Sequence, residues 1–220
     1  MKNLINKKNY SIFLITSLLF SIAFIHIVYL SIIHPLSFEI LAFAQENNLP
    51  PPRHFSVVLK DPEQEICLIL FLWSILIGFF KYYLIDIENK LIDHDDLQFL
   101  FSHEESSANQ KDLSKELLAI HIDNKFDTQQ QDLSFLKYIS WAIPSIGFIG
   151  TVRGIGEALS RSAEAISGDI SNMTESLGVA FNSTFVALLI SIVLMLFITR
   201  LEHQQDEVII KLRSKYLINT

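Results

Sequence analysis

An all-α integral membrane protein with four transmembrane helices is the fold class this sequence predicts, and three observations predict it. Half of the 220 residues are hydrophobic and only 19% are charged, with a mean hydropathy of +0.35, which departs from a soluble domain of this length. Four apolar runs are each long enough, at about 1.5 Å of rise per residue, to cross roughly 30 Å of hydrocarbon. Lysine and arginine cluster outside alternate ends of these runs, which places both termini in the cytoplasm, with short amphipathic cytoplasmic helices beside the spans. The same composition excludes other classes. A net charge of -7 and a pI near 5.4 leave no basic face for nucleic acid. The single cysteine, Cys67, rules out an internal disulfide framework and reads as a small packed or lipid-facing hydrophobe.

The first element is the apolar stretch from Tyr10 to about Ile33, preceded by Lys2, Lys7 and Lys8. Ala42-Phe43-Ala44 resembles a small-residue cleavage site, but a cleavable apolar core is roughly 7 to 15 residues and this run is longer. Residues 1–33 are therefore read as a cytoplasmic N-terminus and a first span, and His26 within it receives no role. Residues 34–65 turn polar. Pro50, Pro51 and Pro52 block a helix interior and suggest a stiff extended loop. Glu39, Glu46, Asp61, Glu63 and Glu65 outnumber Arg53 and Lys60, which fits the outer side of the membrane. A second span over 66–85 ends in Lys81, Tyr82 and Tyr83, an interfacial anchor.

Residues 86–134 are acidic, with scattered apolar positions such as Leu91, Ile92, Leu97, Leu100, Leu113, Leu117, Leu118, Ile120 and Ile122. They read as two short amphipathic helices broken at His103–Gln110, a polar stretch. The acids read as a solvated face, and His94, His103 and His121 show no metal-ligand spacing, so no metal is expected. A third span runs from about Phe135 to Leu159 and a fourth from about Ser176 to Thr199, joined by a turn containing Ser167, Gly168 and Asp169. Beyond it, over 203–220, Leu201, Val208, Leu212 and Tyr216 suggest that the fourth helix continues out of the membrane, with Arg200, Lys211, Arg213 and Lys215 on the inner side.

Chemistry concentrates in the last two spans. The stretch from Trp141 to Leu159 holds four of the seven glycines. Pro144, Gly147, Thr151, Gly154 and Ala158 recur at steps of three and four, so they share one helix face. Together with Gly150, and with Ala180 and Ala187 on the fourth span, they are candidate positions for close helix packing. Arg153 and Glu157 lie one turn apart, an intramembrane charge pair. Asn182, Ser183, Thr184 and Ser191 either bond a neighbouring helix or line a hydrated pathway. No catalytic residue and no acid placed to relay protons is found in the spans, so the chain does not read as an enzyme.

Two stretches carry a family resemblance. IPSIGFIGTVRGI, from Ile143 to Ile155, is similar to the proline, glycine-rich G-x-x-G-T-V and G-I of a pore-lining helix in the MotA/TolQ/ExbB proton-channel family. GVAFNSTFVALLIS, from Gly178 to Ser191, resembles the A-x-x-x-T-F of the partner helix in its flagellar branch. The likeness covers about Phe135 to Glu202 within a core of 135–202. It implies that Thr151 and Thr184 are pore threonines, with Ser183 and Asn182 beside them, and that Pro144 is the helix-bending proline. Aligning on Glu175, as in the energiser branch, would put Ala180 in place of the second threonine, but Ala180, Thr184 and Phe185 match together. Arg153 stands where relatives carry an aromatic or aliphatic residue.

The resemblance further implies a proton or sodium channel subunit of an ion-driven motor in the bacterial inner membrane. Such a subunit forms a homopentamer around a dimer of a single-span MotB/TolR/ExbD-like partner, whose aspartate carries the ion, and it needs no cofactor. The load, whether flagellum, outer-membrane energy transfer or phage defence, is left unassigned. The alternative from another class is a non-conducting structural four-helix membrane protein that oligomerises through the same glycines.

Overall fold

A computed structural model describes residues 7–47, 49, 52, 54–93, 115–166, 168 and 170–215. Among the described residues there is helix and turn but no strand. The elements are α1 (Lys7–Val28), a π-helical turn (Tyr29–Ile33), α2 (His34–Glu46), α3 (Phe55–Val58), α4 (Pro62–Asp93), α5 (Lys115–Ser160), α6 (Ser162–Ile166) and α7 (Ser171–Arg213). Four helical stretches are long and apolar enough to cross a membrane: Asn9–Glu46, Pro62–Ile92, Ile122–Ser160 and Asn172–Arg213. The expected break at 103–110, Pro50 and Pro51 of the proline run, and Tyr216 lie outside the described residues.

Three element boundaries differ from the sequence reading, the first two for a local reason. The first helix does not stop at Ile33, because His34–Glu46 is helical rather than loop. Pro35 lacks an N–H and its ring crowds the carbonyl four residues back. The chain absorbs this by widening one turn: the His34 N–H donates to the Tyr29 carbonyl, five residues back, and the α-helix resumes. The second helix starts at Pro62 rather than Ile66. Proline is preorganised for a first helical position, and Glu63 and Glu65 in that first turn favour the helix N-terminus. The Asp61 carbonyl accepts the N–H groups of Gln64 and Glu65 at 3.2 and 3.4 Å. The third helix starts at Lys115, well before Phe135. At the other end of the chain, the extension expected beyond Thr199 is helical to Arg213.

The chain divides into two compact units, residues 1–76 with 139–194, and residues 77–138 with 195–220. In the first, α1 is tied to α4 by Trp73, whose indole N–H donates to the Leu14 carbonyl and the Ser17 hydroxyl, both at 3.2 Å. Cys67 is buried, with its thiol 3.7 Å from the Ile143 carbonyl. Pro144 interrupts the ladder of α5 and leaves the Ser140 carbonyl without its usual donor. The Ser191 hydroxyl of α7 supplies one at 3.0 Å. In the turn after α6, Gly168 adopts φ +106°, a left-handed conformation that favours glycine.

The second unit packs the last part of α4, the first part of α5 and the end of α7. Ile198, Leu201, Gln205, Val208 and Leu212 are buried at alternating steps of three and four, the spacing of a coiled-coil seam. They share this core with Ile77, Ile85, Ile92, Ile122, Leu133 and Leu136. Gly78 is there because a side chain would strike the Phe197 ring. Not all acids of this region are simply solvated. Glu88 accepts from Lys125 at 3.0 Å and Gln129 at 3.1 Å, and Asp123 accepts from Arg213 at 2.5 Å.

Candidate functional site

The first unit brings α5 and α7 together through the glycine face. A methyl group at Gly147 would collide with the Ala187 methyl. One at Gly150 would lie 2.6 Å from the Ser183 side chain, and one at Gly154 2.8 Å from the Ala180 methyl and backbone. Backbones this close put polar groups of one helix within reach of the carbonyls of the other.

At this contact the Thr151 and Thr184 hydroxyls are hydrogen-bonded to each other. The Ala180 carbonyl lies within hydrogen-bond reach of the Thr151 hydroxyl at 3.0 Å, and the Gly147 carbonyl within reach of the Thr184 hydroxyl at 3.1 Å. The two hydroxyls hold two protons between them, so one makes the bond between the threonines and the other goes to one of these carbonyls, which leaves hydroxyl lone pairs to accept. Both threonines are half-buried. Ser183, fully buried, packs against Gly150 and receives the Gln64 amide at 3.4 Å. Of the residues expected in an ion pathway, Thr151, Thr184 and Ser183 are thus brought together. Asn182 and Pro144 are half-buried and take no part in these hydrogen bonds.

Above this cluster along α5, Arg153 donates to Glu157 at 3.0 Å, as the spacing suggests. Its main partner is different. Glu63 of α4 receives the Arg153 Nε at 2.6 Å and Nη2 at 2.8 Å, a bidentate fork. Glu63 is only 8% exposed, so the guanidinium neutralises a carboxylate that burial would otherwise make costly. Sequence reasoning missed Glu63, Gln64 and Asp61 because it started the second span at Ile66. Pro62 followed by two glutamates is a helix start, and that signal would have found them.

The rim carries more charge. Lys60 donates to Glu175 at 3.1 Å, and His26 of α1 contacts Glu65 at 2.7 Å, so His26 is bound across helices. Asp61, just before the second spanning helix, is buried, and burial raises its carboxyl above the usual range, opposed by Lys60 and Arg153. Among the described residues, no cluster of potential metal ligands is present.

Residues 90–214 match the sequence profile of the MotA/TolQ/ExbB proton channel family. This is wider at both ends than the stretch whose motifs carry the likeness. No curated protein and no solved structure matches the chain. Matched over more than half its length, with four helices able to span a membrane, the chain belongs to the MotA/TolQ/ExbB proton channel family.

Proposed function

We propose that this protein is the channel-forming subunit of an ion-driven motor, a homopentamer around a dimer of a single-span partner whose aspartate carries the proton or sodium ion. The observation that carries this reading is the Thr151–Thr184 contact, set between carbonyls of two closely packed helices. Hydroxyl oxygens with free lone pairs, half-exposed at a helix seam, suit transient contact with a hydrated cation or a protonated carboxyl. Family membership supports the motor assignment. In this reading both termini and residues 86–134 are cytoplasmic, the segment between the first two spans lies outside, and the membrane is the bacterial inner membrane.

The threonines test it. Thr151→Val and Thr184→Val keep the side-chain shape and remove the hydroxyls. With the single-span partner co-expressed, each should lower proton flux about tenfold or more, the scale of a lost transition-state hydrogen bond. The oligomer should remain unchanged by native mass spectrometry. Full flux in both variants overturns the assignment of the threonines to the pathway, whereas no flux through the unaltered chain with its partner favours the non-conducting structural protein.

A further inference from the structure

Among the described residues of the first unit, the Asp61 Oδ2, the Gln64 Oε1, the Tyr29 hydroxyl and the Ser74 hydroxyl are buried without a hydrogen-bond partner. Asp61 is 9% exposed, Gln64 and Tyr29 1% each. Gln64 lies beside the Asp61 carboxyl, and Tyr29 interacts electrostatically with Asp61 and Glu65. A buried oxygen left unpaired is costly, and the first two are acceptors when Asp61 is ionised. No donor is bonded to those two oxygens.

The charges nearby do not remove the need. Two cations face Asp61, Lys60 and Arg153, and both are engaged elsewhere. Arg153 serves Glu63 and Glu157, and Lys60 serves Glu175. Asp61 is therefore the surplus acid, with Glu63 opposing its ionisation. Its neighbour Gln64 reaches Ser183, the residue before Thr184.

We propose that Asp61 is the proton-accepting group at the mouth of the channel. Its carboxylate takes a proton from hydronium, leaving water, and the new O–H supplies the missing donor beside the Gln64–Ser183 contact that leads to the threonine pair. Lys60, Arg153, Glu63 and Tyr29 face it and set when the proton is held, with Glu65, bound to His26, facing Tyr29. This rests on the channel reading, extending it to a residue that the family motifs do not contain.

The test has two readouts on the full-length chain. Infrared titration of the purified protein should show a protonated carboxyl band that persists above the pH at which ordinary carboxyls ionise, and Asp61→Asn should abolish it. Asparagine suits the start of a helix as well as aspartate does, so the variant should fold and assemble. With partner co-expressed, Asp61→Asn should lower proton flux about a hundredfold, the scale of a lost acid-base group, whereas Asp61→Glu retains part of it. No such band, or a band that survives in Asp61→Asn, overturns the proposal. So does flux in Asp61→Asn within about twofold of the unaltered chain while Thr184→Val lowers it. If the unaltered chain conducts nothing with its partner, the channel reading fails, and the infrared band still decides whether Asp61 binds the proton.

Discussion

Arg153 shows how a side chain's role depends on a partner distant in sequence. The i,i+4 spacing to Glu157 is visible in the sequence, but the fork to Glu63 spans 90 positions and depends on where α4 begins. The two acids are unequal: the Glu157 side chain is 42% exposed and that of Glu63 10%. Losing Arg153 strands a buried Glu63 and a solvated Glu157. Arg153→Leu and Glu63→Leu should each destabilise the protein by about 1–3 kcal/mol. This is less than the roughly 3–5 of a fully buried pair, because Arg153 itself keeps solvent contact. Glu157→Leu should cost under about 1 kcal/mol, and the Arg153→Leu/Glu63→Leu double variant should recover part of the loss. Thermal melting in detergent measures this ranking. Equal losses in Glu63→Leu and Glu157→Leu would contradict it.

At the scale of elements, the α5–α7 contact is built on glycines that are not equivalent. A methyl at Gly154 would lie 2.8 Å from the Ala180 and Ser176 backbone, whereas nothing lies within 4 Å of a methyl at Gly156. Alanine is the better helix former, so Gly156→Ala should stabilise α5 by about 0.5–1 kcal/mol. Gly154→Ala has the same propensity gain but meets backbone that cannot move aside, and should destabilise by about 1–3 kcal/mol. Melting temperatures of the two variants, alike in chemistry and two positions apart, should move in opposite directions. A parallel shift would mean that the helices do not depend on this approach. The helix boundaries follow a similar division. Periodicity located the helices, but the end of the first depended on whether one widened turn could absorb Pro35, which hydropathy does not report.

For the whole molecule, the exposed apolar surface is the main fact. Trp141, Phe148 and Leu196 are each more than 60% exposed, and at most a third of any spanning window is buried within the chain. Lipid and other subunits are the natural cover for such a surface. Of the carboxylates described within the spans near the threonine pair, Glu63 and Glu157 are both held by Arg153. The chain expressed by itself should therefore reach the membrane and conduct no protons, while co-expression with the single-span partner should produce flux. Acidification of cells or loaded vesicles measures the difference, and equal flux in both cases would show that the chain needs no partner acid.

The sequence by itself determined the all-helical membrane class, four spans and the family, because hydropathy, glycine spacing and the threonine motifs are local in the chain and each span satisfies its own backbone. Only the tertiary structure decided that Thr151 meets Thr184, that Ser191 serves the carbonyl freed by Pro144, and that Glu63, Gln64 and Asp61 join the site. Those contacts link residues separated by 33 to 119 positions. They depend on the register of one helix against another, and register is set by how closely Gly147, Gly150 and Gly154 let the backbones approach, a property of facing surfaces that no single helix carries.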